Sequence, residues 1–315
     1  MTTLLPIDWI LVAVAAWLAI GVAGVLRPHG FFLVARVLFP LGAAIGLIVA
    51  AAAAVALFSD PQIAVLPLGL PGLPFHLRLD ALSAFFLFLL GGAATGISVF
   101  ASGYFRPGEG TPPGVLCLLY HVFLAAMAMV MVADDAYVFM VMWEAMALAS
   151  FFLVTANHVI PEIRRAGYLY LLIAHVGALA ILLAFGVLQA NTGDYTFDNM
   201  RAQQLSPFWA SAAFLLALGG FGAKAGLLPL HIWLPEAHPA APSPVSALMS
   251  GVMLKTAVYG LLRVTFEILP LQLAWWGVLA LVLGLVTALF GVVFSAIQTD
   301  MKRLLAYSSI ENIGL

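Results

Sequence analysis

The sequence predicts an all-α polytopic membrane protein, a bundle of about nine or ten spanning helices whose seventh is broken by proline. Three observations predict it. Of the 315 residues 64% are apolar and only 8% charged, against about 25% charged in soluble domains. Apolar windows of about 20 residues, each long enough to cross a bilayer core, recur along the whole chain. Finally, Pro229 lies five residues beyond Lys224 at membrane depth. Proline removes a backbone donor and clashes with the preceding turn, so the helix breaks or kinks beside the lysine.

Composition also excludes classes of function. A net charge of -2 leaves no basic face for nucleic acid. Cys117 is the only cysteine, which rules out an intrachain disulfide and a four-cysteine iron–sulfur site of the chain's own. If redox chemistry drives this protein, another subunit carries it.

Taken in order, the windows fall near Trp9–Leu26, Phe31–Phe58, Ala81–Tyr104, Val115–Met131, Ala136–Val154, Tyr168–Gln189, Phe208–Leu228, Ser246–Val264 and Leu271–Ile297, and another begins near Leu304. The first has no basic residues before it and no small-residue cleavage site after it, so it reads as a retained span and not a signal peptide. Asp80 is placed to cap the third. Pro61 to Leu79, with its prolines and glycines between short apolar pieces, predicts a small extracytoplasmic hairpin. Pro235, Pro239, Pro242 and Pro244 predict a structured loop before the eighth span. Arg27, Arg36, Arg106, Arg164, Arg165, Lys302 and Arg303 fall on one side, against Arg78, Arg201 and Arg263 on the other. Seven against three puts the first group in the cytoplasm and the N-terminus outside.

Three ionisable residues lie near the middle of their windows: Glu144, Lys224 and Lys255. A lysine at the centre of a lipid-facing helix costs about 2.5–3.5 kcal/mol, so such residues face protein or water and mark function. Facing an acid with a base is the least costly arrangement, which predicts that Glu144 and Lys224 approach each other. Two readings stay open. One is a structural ion pair that fixes helix packing. The other is a proton relay, because at an effective dielectric of about 20 a pair about 4 Å apart interacts by about 4 kcal/mol, enough to switch a lysine between holding and releasing its proton. His121 and His175 either extend a hydrated path or pack as satisfied core histidines. His231 and His238 flank HIWLPEAH; a metal site wants more ligands at tighter spacing, so they read as loop histidines near a proton entry. Met127, Met129 and Met131 read as packing residues.

WEAMALASFFLV around Glu144, the stretch FGAKAGLLPLHIWLPEAHPAAPSPVSALMSGVMLKTAVYGLLR and the later TDMKRLLAYSSIENIGL resemble the antiporter-like subunits of respiratory complex I and the membrane-bound hydrogenases. LDALSAFF at the third span fits too, and YSSIENIG, with Glu311, resembles the hydrogenase-4 and formate hydrogenlyase branch. The resemblance covers nearly the whole chain. It implies two inverted five-helix repeats, each with a broken helix, the first being spans four to eight. Residues 1–110 then form an N-terminal three-helix segment, 111–266 the repeat, and 267–315 the start of a C-terminal part. The second repeat has no counterpart before Leu315, so a complete proton path from these residues alone is not expected. In that family the fifth-span acid and the lysines of the seventh and eighth spans serve proton translocation, roles that transfer to Glu144, Lys224 and Lys255.

The function so implied is a proton-translocating, non-catalytic subunit of a hydrogenase-4/formate hydrogenlyase-like or complex I-like oxidoreductase assembly. Its setting is the bacterial inner membrane, and its partners are other membrane subunits and soluble redox subunits. The chain itself is expected to hold no cofactor; nickel–iron and iron–sulfur centres belong to those partners. No residue is assignable to a quinone site. The alternatives are a non-pumping scaffold for a soluble hydrogenase module and a sodium/proton antiporter subunit, although central lysines favour protons, since sodium sites want oxygen ligands.

Overall fold

A computed structural model describes residues 4–106, 108, 110–190, 193–269 and 271–315. Among these are nine helices long and apolar enough to cross a membrane: Pro6–Val25, Phe31–Ala56, Ala81–Tyr104, Pro113–Val132, Ala136–Val154, Pro161–Gln189, Pro207–Ala240, Ser243–Ile268 and Ala274–Ala296. A final helix, Met301–Gly314, follows.

The helix starts are set locally. Pro6, Pro113 and Pro207 lie in first turns, where a missing N–H would have had no helical partner. Aspartates cap others: Ser83 N–H donates to Asp80 Oδ1 at 3.0 Å, Val138 N–H to Asp135 Oδ1 at 2.6 Å, and Arg303 N–H to Asp300 Oδ1 at 2.8 Å. The Asp80 cap is as the sequence predicts.

The described chain divides into two compact units: Met1–Arg164 with Ala241–Val252, and Arg165–Ala240 with Met253–Leu315. In the first, the fourth span is the hub, packing on the first and the fifth, while the second packs on the first and the third. The predicted hairpin is present as β1 (Gln62–Leu70) antiparallel to β2 (Leu73–Leu79), with an irregularity between Leu66 and Gly69. Asp135 ties it down. Besides capping the fifth span, its carboxylate accepts from His76 N–H at 2.9 Å and meets His76 Nδ1 at 3.1 Å, while Asp134 N–H donates to His76 O at 2.9 Å.

In the second unit the first half of the seventh span packs on the eighth, the ninth packs on the final helix, and the second half of the seventh packs on that final helix as well. Two expectations are corrected here. The proline-dense stretch is not a loop: Leu234–Ala240 is helical, with only Ala241 and Pro242 between it and the next helix. Proline is tolerated in a first turn, and both Pro235 and Pro244 occupy one. Arg263 is not in an outer loop either. The eighth span runs on as a π-helical segment, Arg263–Ile268, and buries Arg263 to 2% exposure in a pair with Glu267, with its Nη2 donating to Tyr259 Oη at 2.9 Å.

Candidate functional site

The site is built around the interruption of the seventh span. Its first half, Pro207–Ala225, ends on Gly226 at φ 88°, a left-handed conformation that glycine adopts without the Cβ clash other residues meet. Gly226 N–H and Leu227 N–H both turn back onto Gly222 O, at 2.9 and 2.8 Å. Pro229 then precedes a single 3₁₀ turn, Leu230–Trp233, and the second half, Leu234–Ala240. The break therefore comes three residues before the proline, with glycine ending the helix and Pro229 preventing its resumption.

Breaking a helix at membrane depth frees backbone groups that lipid cannot satisfy. Side chains take them up here. Leu228 N–H donates to Thr287 Oγ1 of the ninth span at 3.2 Å, and the indole Nε1–H of Trp233 donates to Ala223 O at 2.8 Å. The second bond also clasps the two halves of the seventh span together.

Lys224 sits in the last turn of the first half and is 2% exposed. Carbonyl ends of peptide dipoles collect there, and their partial negative charge favours an ammonium. Its Nζ donates to Tyr170 Oη at 2.6 Å and lies 4.7 Å from the centre of the Tyr170 ring, within cation–π range. Tyr170 Oη in turn donates to Met253 Sδ at 3.7 Å, and the Trp233 ring lies 4.9 Å from the Tyr170 ring. The register follows from two glycines. A Cβ on Gly177 would come within 2.9 Å of Gly220 O, and one on Gly220 within 2.6 Å of Gly177 O, so the sixth and seventh spans touch backbone to backbone. Gly220 lies one helical turn from Lys224, and Gly177 two turns from Tyr170, which brings the pair onto facing surfaces.

The other predicted residues are placed variously. Lys255 lies half-buried on the eighth span, and His238, 2% exposed, lies within electrostatic reach of both Lys255 and Lys302. Lys302 Nζ donates to Pro239 O at 3.5 Å, so His238 stands beside the foot of the final helix. Its ring is 6.4 Å from that of Trp233, which makes Trp233 common to the Lys224 and His238 neighbourhoods. His231 is partly buried and edge-on to Phe290, with ring centres 4.8 Å apart. His175 is exposed on the sixth span, with Nδ1 bonded to Leu171 O at 3.0 Å. Glu144 is half-buried midway along the fifth span, in the first unit. His121 is also in that unit and is fully buried, with Nδ1–H bonded to Cys117 O at 2.8 Å and its ring against Phe39 and Tyr120.

Tyr170, Trp233, Met253 and the Arg263–Glu267 pair are absent from the sequence-based candidates. For Tyr170 the only local signal is a phenol inside an apolar window, which by itself reads as packing. Among the described residues no group of three or more His, Cys, Asp or Glu is placed to hold a metal ion.

Residues 133–315 match the family described as NADH:quinone oxidoreductase/Mrp antiporter, TM. Hydrogenase-4 component B of Escherichia coli (strain K12) is 44% identical over 244 residues, covering 76% of this chain and 36% of its own length. Formate hydrogenlyase subunit 3 of the same organism is 34% identical over 247 residues, covering 76% of this chain and 38% of its own length. Among solved structures, a chain of the Mrp complex from Dietzia sp. DQ12-45-1b superposes with a TM-score of 0.83 at 27% identity, over 97% of this chain and 33% of that one. The chain thus spans little more than a third of the length of the curated relatives it matches.

Proposed function

Since the chain belongs to the NADH:quinone oxidoreductase/Mrp antiporter transmembrane family and is a multi-pass membrane protein, we propose that it moves protons as a membrane subunit of a hydrogenase-4/formate hydrogenlyase-like assembly. In this reading Lys224 is the central proton carrier, Lys255 its successor on the eighth span and Glu144 the acid that competes for its ammonium. His238 and Lys302 feed the lysines from the cytoplasmic side. The N-terminus lies outside, as the distribution of basic residues favours.

One observation carries the proposal: a lysine 2% exposed, in the last turn before the interruption of a membrane-spanning helix. An ionisable side chain at such depth is costly and is kept where it serves a path for ions or protons. Moving one charge against 100 mV takes about 2.3 kcal/mol. In this reading that energy comes from the partner subunits of the assembly.

The test is proton uptake into vesicles carrying the assembled complex. Lys224→Ala abolishes uptake while the complex still assembles; uptake at the normal rate in that variant removes the relay. A scaffold would keep its activity when Glu144 and Lys224 are replaced together by Gln and Met. Uptake that depends on sodium in the medium would instead favour sodium/proton antiport.

A further inference from the structure

We propose that Arg263 and Glu267 form the outer gate of the proton path, an ion pair at the extracytoplasmic end of the eighth span through which protons from Lys255 leave. This rests on the relay reading and the orientation given above, and deepens them by naming the exit.

Four side chains of the second unit mark the route. Lys255, Tyr259, Arg263 and Glu267 stand at successive steps of four residues along the eighth span, the spacing that stacks side chains on one helix face. Each such step drifts about 40° round an α-helix, so a wholly α-helical stripe would wander off its face by the last one. Here Arg263–Ile268 is π-helical. A π turn holds more residues than an α turn, which swings Glu267 back toward the line of the other three. At the α-helical rise the stripe climbs about 18 Å, from the half-buried lysine to a carboxylate one residue short of the helix end.

The contacts run in the same order. Arg263 Nε and Nη2 both donate to Tyr259 Oη, at 3.2 and 2.9 Å, and the guanidinium lies 5.2 Å from the centre of the Tyr259 ring. Through Nη1 the same guanidinium pairs with Glu267. The side chain of Arg263 is 3% exposed and that of Glu267 30%, so the cation is sealed inside while its acid reaches the surface. The short helix Phe197–Ala202 packs on this π-helical segment and brings a second pair, Asp198 with Arg201, to the outer side.

The two partners suit different tasks. Arginine keeps its proton in proteins, so Arg263 carries none; its fixed charge instead repels protons and other cations entering from outside, as an arginine in a pore does. Glu267 is the member that changes charge. A proton driven off Lys255 travels through water on this polar face and binds the carboxylate, which becomes neutral and loses its Coulomb attraction to Arg263. Tyr259 keeps hold of the guanidinium meanwhile, by hydrogen bonds and by its ring face. Release of the proton from Glu267 to water outside restores the anion and closes the pair. One proton passes per cycle, and no other covalent bond is made or broken.

The experiment reads two quantities on the assembled complex in vesicles: proton uptake during turnover, and the passive leaks of protons and of potassium when turnover is stopped. Glu267→Gln removes the group that takes the proton. Uptake should fall about a hundredfold, the lower end of what a positioned acid or base contributes to proton transfer. Because that variant leaves a buried cation without its acid, Arg263→Met combined with Glu267→Gln covers the case in which it fails to assemble, and uptake is then read there with the same expectation. The double variant also lacks the repelling charge, so its passive proton leak should rise while its potassium leak stays at the level of the unaltered complex. Normal uptake without the carboxylate overturns the gate. So does a proton leak that fails to rise, or one matched by potassium, since loosened packing lets both ions through. Lys224→Ala separates the two claims. Loss of uptake there with unaltered gate variants sinks the gate alone, whereas normal uptake there sinks the relay and the gate with it.

Discussion

The two units bury polar groups in different ways. In the first, interior polar side chains are bonded to neighbouring backbone or to one another, Ser98 with Tyr120 Oη at 2.9 Å, Thr95 Oγ1 to Ala43 O at 3.2 Å, Trp17 Nε1–H to Gly42 O at 3.1 Å and His121 to Cys117 O, while the buried carboxylates Asp80 and Asp135 cap helix starts. In the second, the buried groups include full charges set against aromatic rings, Lys224 on Tyr170 and Arg263 on Tyr259. The buried cations of the second unit stand at helix irregularities. The first half of the seventh span stops at Ala225, and the eighth ends in a π-helical segment carrying Arg263. A neutral hydroxyl can be satisfied inside a regular helix by the carbonyl one turn back. A buried cation needs several oriented dipoles or a π face, and an interrupted helix offers both. The difference teaches that the buried carboxylates of the first unit are held at helix starts, where backbone N–H groups face them, and the buried cations of the second at a helix end and a π-helical turn, where carbonyls and aromatic rings do.

Substitutions should break that contrast in order of size. Lys224→Ala removes the charge the second unit is arranged around, and the whole of proton uptake is expected to go with it, measured per assembled complex. Gly220→Leu and Gly42→Leu are a matched pair. A Cβ at Gly220 would meet Gly177 O at 2.6 Å, and one at Gly42 would collide with His121 Nε2. Overpacking of this kind typically costs about 1–3 kcal/mol, so both should lower the melting temperature in detergent. Only the Gly220 variant should also slow uptake, because only it shifts Tyr170 relative to Lys224. Trp233→Phe leaves the Ala223 carbonyl without its indole donor at a cost of about 1–3 kcal/mol. Uptake should fall more than stability does, which distinguishes a clasp on the relay from a packing residue. Asp135→Ala removes a helix cap worth about 1 kcal/mol together with the anchor of the β1–β2 hairpin. Melting should fall while uptake per folded complex holds. The smallest effect is at Arg303, whose Nη2 donates to Glu236 at 2.8 Å with both side chains over 40% exposed. Arg303→Ala should change stability by less than about 1 kcal/mol.

Much of the fold was legible. Apolar windows gave the spans because lipid forces any crossing segment to satisfy its own backbone, and helices of about 20 residues are the simplest way to do so. Asp80 was readable as a cap, and Pro229 as a break. The site was less so. His121 and His175 stand in equally apolar windows, yet the first is fully buried and the second exposed. A helix apolar all round has no polar face to say which side turns inward. Arg263 read as a loop charge, since its pairing with Glu267 one turn on and with Tyr259 one turn back depends on the helix continuing through it.

By itself the sequence determined that the protein crosses a membrane many times and that lysines occur at depth, because these follow from composition and the cost of charge in lipid. Tertiary structure alone decided what receives Lys224. Tyr170 is 54 residues away along the chain and reaches it through a glycine crossing, an indole clasp and a left-handed Gly226, none of which is specified within one span. Hydropathy counts residues along a line, whereas the partner of a buried charge depends on which faces of separate helices come together.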